Sequence, residues 1–152
     1  MKEWYSNKNV GVFFDDIPRV GIRYFVPNMS EDDKKSIEKY PFINKKCLKV
    51  RLVDYKKYKT YNFEIPKGYC YDGASIPKIF WRVIGSNTDN RFLIAALIHD
   101  NLCENHKYID NDKSFSTEVF NALLEANQVN IFKRFLMKHS VNFFQSFCDW
   151  RN

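Results

Sequence analysis

The spacing of apolar and polar residues changes near the middle of the chain, dividing it into a strand-rich front and a helical rear. Between Val10 and Val26, Val, Phe, Ile and Tyr gather on both sides of Asp15-Asp16-Ile17-Pro18, which predicts two short strands around a turn. Cys47 to Val53 alternates apolar and polar residues, and Tyr61 to Ile65 does so again after the polar stretch Asp54 to Lys59. This predicts a hairpin with one covered face. Ahead of it, Ser30 precedes Glu31, Asp32 and Asp33, so the polar segment through Lys39 reads as a short capped surface helix inserted among the strands.

From Pro66 the pattern becomes helical. Gly68 and Gly73 lie in a loop that ends at Ser75, the expected cap of a short helix through Phe80-Trp81-Arg82-Val83-Ile84 that stops at Gly85. Asp89 is the expected cap of a helix from Asn90 to about Glu104. Its Phe92, Leu93, Ala95, Ala96, Leu97, Ile98 and Leu102 cover nearly the whole circumference, so it should be central and buried. A third helix is expected from Ser116 to Ala126, with Val119, Phe120, Leu123 and Leu124 on one face. The last, Ile131 to Phe147, places Phe132, Phe135, Leu136, Phe143, Phe144 and Phe147 on one stripe, which reads as core. The fold class is therefore α+β, an antiparallel sheet of about four short strands in residues 1–65 packed on three or four helices in residues 66–152. At 152 residues this is the size of one domain, long enough to bury a core without staples.

Composition narrows the function classes. Aromatics make up 17% of the residues, too many for long disorder. The formal charge is +6, which attracts phosphate-rich partners, but the lysines lie in short groups beside Asp and Glu and form no basic helix face. Specific nucleic-acid binding is not expected. Cys47, Cys70, Cys103 and Cys148 form no C-x-x-C pair, so a zinc site is not expected, and the absence of an apolar leader or spanning run predicts a cytoplasmic protein with free thiols.

Two places carry candidate chemistry. His99 and Asp100 put two ionisable groups in the middle of an apolar helix, which costs several kcal/mol unless each is paired or faces a wet cleft. Neighbouring helix positions point about 100° apart, so the two should not pair with each other. The plainer reading of His99 is a satisfied core histidine. The second place is Asp72-Gly73-Ala74-Ser75, where a loop carboxylate can either cap backbone N–H groups or orient an imidazole. Taken together, His99, Asp72 and Ser75 are the candidate catalytic residues, since buried His and loop Asp side chains are common partners in acid/base sites.

These residues fall within two blocks that carry a resemblance. Gly68-Tyr69, Asp72, Ala74-Ser75-Ile76-Pro77 and Phe80-Trp81, then Ala95-Ala96, His99-Asp100, Leu102 and finally Phe120, resemble the phage-associated family known as domain of unknown function 1353. The resemblance runs from Ile65 to about Phe147 and implies a phage or prophage accessory protein. Two positions depart from the family pattern: Cys103 stands where Tyr is usual, and Ser116-Thr117 where Ala-Asp is usual. The His-Asp helix is also similar to the core of prokaryotic phospholipases A2. That similarity implies His99 as the general base, Asp100 and Asp72 with the Tyr69–Gly73 backbone as holders of a divalent cation such as Ca²⁺, and Thr117 in the place of the acid that orients the histidine.

Two functions follow as expectations. One is a hydrolase-like His/Asp core, a degenerate enzyme acting on an ester bond. The other is a non-catalytic phage protein that binds another phage or host protein, as a virion part or an inhibitor of a host defence system, with Trp4, Tyr5 and Trp150 as candidate interface aromatics.

Overall fold

A computed structural model of the chain describes residues 1–73 and 90–145, with side chains of the last helix through residue 141. Seven strands and five helices occur among these residues. A four-stranded antiparallel sheet has the order β1 (Lys2–Ser6), β2 (Val10–Phe14), β5 (Leu48–Asp54), β6 (Lys59–Ile65). A second, three-stranded sheet joins β3 (Val20–Ile22), β4 (Phe42–Asn44) and β7 (Cys70–Tyr71). The helices are α1 (Glu31–Lys39), α2 (Leu93–Glu104), α3 (His106–Ile109), α4 (Lys113–Ala126) and α5 (Ile131–Gln145). The fold is α+β, as the pattern predicts.

The expected hairpin pairs in continuous register from Leu48 with Ile65 to Asp54 with Lys59. Alternate residues of β5, namely Leu48, Val50 and Leu52, are buried, so the period-two pattern does choose the face. The two strands expected within residues 10–26 also exist, but they do not pair with each other. β2 lies between β1 and β5, whereas β3 joins β4. β1 went unforeseen because Lys-Glu-Trp-Tyr-Ser carries almost no alternation; Trp4 rests on Phe14 at 5.4 Å between ring centroids, and Tyr5 packs against the core. The inserted helix is as expected: the Ser30 hydroxyl oxygen accepts the Asp33 N–H.

α2 is central, with Ala95, Ala96, Leu97, Ile98, His99, Asn101 and Leu102 all buried. It begins at Leu93, three residues later than expected, behind Phe92, which makes no side-chain cap bond. α4 begins three residues earlier than expected because Asp112, not a residue nearer Ser116, accepts the Phe115 N–H as its cap. Its Val119, Phe120, Leu123 and Leu124 are buried as foreseen.

The expected core stripe of α5 is a mistake of phase. Phe132 and Phe135 are 60% and 57% exposed, while Met137, Ser140 and Val141 are buried, with Leu136 half-buried. The helix has two apolar faces of the same period, and contact with α4 selects the one of Met137 and Val141 over that of Phe132 and Phe135. Strands and helices share one hydrophobic cluster, in which Val12 and Leu52 from the sheet join Leu97, Phe120 and Leu123 from the helices. The expected short helix around Phe80, the Asp89 cap, the side chains of Phe143 and Phe144, Phe147, Cys148 and Trp150 lie outside the described residues. Cys47, Cys70 and Cys103 are free thiols, and among the described residues no helix is long and apolar enough to cross a membrane.

Candidate functional site

The site forms where the loop after β7 meets α2. One residue of β4 holds the approach to that loop: Asn44 donates its side-chain amide to the Ile65 and Pro66 carbonyls and its backbone N–H to Tyr69. Its own carbonyl accepts the N–H of Gly68. This clamp sets the turn before β7, and Gly73 then takes a left-handed backbone, φ 85°. The backbone N–H groups of Asp72 and Gly73 both reach the Asp100 carboxylate.

Asp72 and Asp100 are hydrogen-bonded to each other. Burial first, then the bond to Asp100 and repulsion from it, push Asp72 up to about 8. The residue as a whole is exposed, so water moderates the burial contribution and the contact with Asp100 is the firmer cause. Burial likewise pushes Asp100 up to about 7, helped by repulsion from Glu104 and opposed by the hydrogen bonds it accepts. Both carboxyls are raised, and the pair titrates as a coupled unit. The second oxygen of Asp100, Oδ2, is buried without a hydrogen-bond partner.

His99 is 7% exposed, and burial lowers its value to about 4 against a partial opposing pull from Asp72, so the imidazole is neutral over most of the working range. Its ring packs on Phe120 of α4 at 5.2 Å. Nδ1 lies 3.7 Å from Oδ1 of Asp100, nearer than the angular separation of adjacent positions led one to expect, yet too far for a hydrogen bond. Cys103, one turn on, places Sγ 3.6 Å from Nε2 and 3.8 Å from Nδ1. The sulfur is thus about equally near both ring nitrogens. The Thr117 hydroxyl is buried and donates to the Lys113 carbonyl, which is a helix-internal bond.

The structure thus brings His99, Asp72 and Asp100 into one electrostatically coupled group, and Ser75 lies outside the described residues. Sequence reasoning missed Tyr69 and Glu104. The Tyr69 phenol donates to Glu104 at 2.8 Å, and burial, with Glu104 beside it, raises the phenol well above its ordinary value. Glu104 follows Asp100 by four positions, a spacing that puts both carboxylates on one side of α2 and was legible in the sequence. Among the described residues no group of three or more His, Cys, Asp and Glu side chains is arranged to hold a metal ion.

A family model described as "Protein of unknown function (DUF1353)" matches residues 50–141, the stretch that contains the His99–Asp100 helix and the loop of Asp72. The chain belongs to this family. A 40-residue stretch is 48% identical to the "Uncharacterized protein y4jT" of Sinorhizobium fredii (strain NBRC 101917 / NGR234); it takes in 26% of this chain and 12% of that protein. The chain thus spans a small fraction of the length of this relative. No solved structure matches the chain.

Proposed function

We propose that this member of the family is a phage or prophage accessory protein with a hydrolase-like His/Asp core that acts on an ester bond. The observation that supports it is the coupling of Asp72, Asp100 and His99 at one loop–helix junction, where burial raises both carboxyls and lowers the imidazole beside them. His99 is the general base, its neutral imidazole accepting a proton from the attacking water. Asp72, the exposed member, is where substrate meets the group.

Asp72 and Asp100 are the residues that would hold a divalent cation such as Ca²⁺. Their carboxylates, one of which has the buried Oδ2 of Asp100 without a hydrogen-bond partner, are hard donors, and backbone oxygens between Tyr69 and Gly73 would have to complete the set. Both carboxyls would have to be ionised to hold it. When bound, such an ion supplies charge stabilisation to a developing oxyanion. The low value of His99 makes it a weak base, and Thr117 offers a hydroxyl where a carboxylate would strengthen it, so wild-type turnover is small.

The test is turnover of short-chain esters and phospholipid with and without Ca²⁺, measured beside thermal melting. His99→Ala should lower any calcium-dependent turnover by about 10²-fold while the melt stays cooperative, and Thr117→Asp should raise it. No turnover by the wild type or by Thr117→Asp, both folded, sinks this reading. The second reading, a non-catalytic protein that binds a phage or host protein, is favoured by one observation: Ile22, Tyr24, Phe25 and Val26 form an exposed apolar run beside β3, an edge strand. Retention of a phage or host protein by the wild type, lost on Phe25→Asp, would support it.

A further inference from the structure

Beside the carboxyl pair, β6 and the end of α2 enclose a cavity of about 300 Å³ that neither reading uses. Its walls are aromatic: Phe63 and Tyr69 are half-buried, and Tyr108 of α3 stands 88% exposed at the rim. Its charged groups are both acidic, Glu64 and Glu104. None of the nine lining residues is Lys or Arg, although the chain has 24 of them in 152 residues. Lys49 stands opposite Glu64 in the β5–β6 register and lines the neighbouring cavity, and Glu64 accepts the Cys47 thiol, so that carboxylate is already engaged. Glu104 takes part in no ion pair among the described residues. The Tyr69 phenol, donating to Glu104, fixes its carboxylate at the cavity edge.

We propose that this pocket binds a primary ammonium group carried on a short apolar stem. An ammonium placed between Glu104 and the faces of Tyr69 and Tyr108 gains a charge-assisted hydrogen bond together with cation–π attraction, while its methylenes lie on Phe63. The Asn105 side-chain amide offers a further oxygen. The volume suits one side chain or one small amine. The free amine and the lysine side chain share this chemistry. For the ester-hydrolysing reading this gives the substrate a cationic end lying next to Asp100; only that placement rests on the proposed function, and the binding does not.

The test is an amide-detected NMR titration of the full-length protein at low salt with three probes of matched length: n-butylammonium, neutral n-pentanol and anionic valerate. The ammonium should produce saturable shifts at Tyr69, Asn105 and Tyr108, and the other two should not. Glu104→Gln keeps an oxygen for the Tyr69 phenol but removes the charge, and should weaken binding about tenfold. Tyr108→Ala, at a surface residue, should weaken it independently. Equal shifts with n-pentanol, or unchanged affinity in both folded variants, overturn the proposal. An Nα-acetyl-lysine-N-methylamide arm distinguishes the sources, because tighter binding than n-butylammonium points to a lysine in a polypeptide and weaker binding to a free amine. Absent ester turnover with intact ammonium binding by the wild type removes the hydrolase reading alone.

Discussion

At the scale of single residues, the site is governed by how burial acts on opposite charge types. His99 and the Asp72–Asp100 pair lie in the same coupled group, yet desolvation lowers the first to about 4 and raises the others to about 8 and about 7. Their linkage to stability therefore has opposite signs. A carboxyl whose folded value is raised contributes stability that is complete below the unfolded value of about 4 and is lost as pH rises through the folded one. A histidine whose folded value is lowered contributes stability that is present above the unfolded value of about 6.5 and lost as pH falls through about 4. In chelated buffer the wild-type melting temperature should consequently fall between about pH 6.5, above which the histidine contribution is complete, and about 8, and Asp72→Asn, which cannot ionise, should flatten that decline. Parallel slopes in the two proteins would mean that the pair is not coupled.

At the scale of elements, local signals fix helices where a side chain closes the first turn. Ser30 starts α1 and Asp112 starts α4, each by accepting the N–H three residues on. Asp112 also receives Lys57 from the β5–β6 turn, and Lys59 beyond that turn binds Asp110, so the cap ties α4 to the hairpin. Asp112→Ala should cost about 1 kcal/mol in denaturant unfolding, whereas Asp112→Asn, which keeps a capping oxygen, should stay near the wild type. Equal losses in both variants would assign the effect to the Lys57 pair. α5 illustrates the limit of such signals: the period of its apolar residues is correct, but Ile131, Phe132 and Phe135 form one stripe and Leu136, Met137 and Val141 another, and nothing local decides between them.

At the scale of the whole molecule, the family match covers residues 50–141, while the strands before it complete the sheet and the core. β2 occupies one edge of β5 along its length, Val10, Val12 and Phe14 are buried against the helical side, and Asn44 clamps the turn that leads to Asp72. A chain cut to residues 50–141 should thus show no cooperative thermal transition, because β5 loses its partner and the core loses that wall. A sharp melt of this fragment near that of the full chain would show that the strands before it are dispensable.

The sequence by itself determined the fold class, the β5–β6 hairpin, the capped insertion, the burial of α2 and the place of His99 and Asp100 as ionisable groups within that apolar helix. Each of these is written in short-range patterns: period two, period 3.6, a capping residue, or a charge among apolar neighbours. Tertiary structure alone decided that β2 and β3 go to different sheets, which face of α5 is buried, and that Asp72 meets Asp100. These depend on partners distant in sequence. Asp72 and Asp100 are 28 positions apart, and the Asn44 clamp and the left-handed Gly73 set where that loop meets α2, so their coupling is a property of the assembled fold.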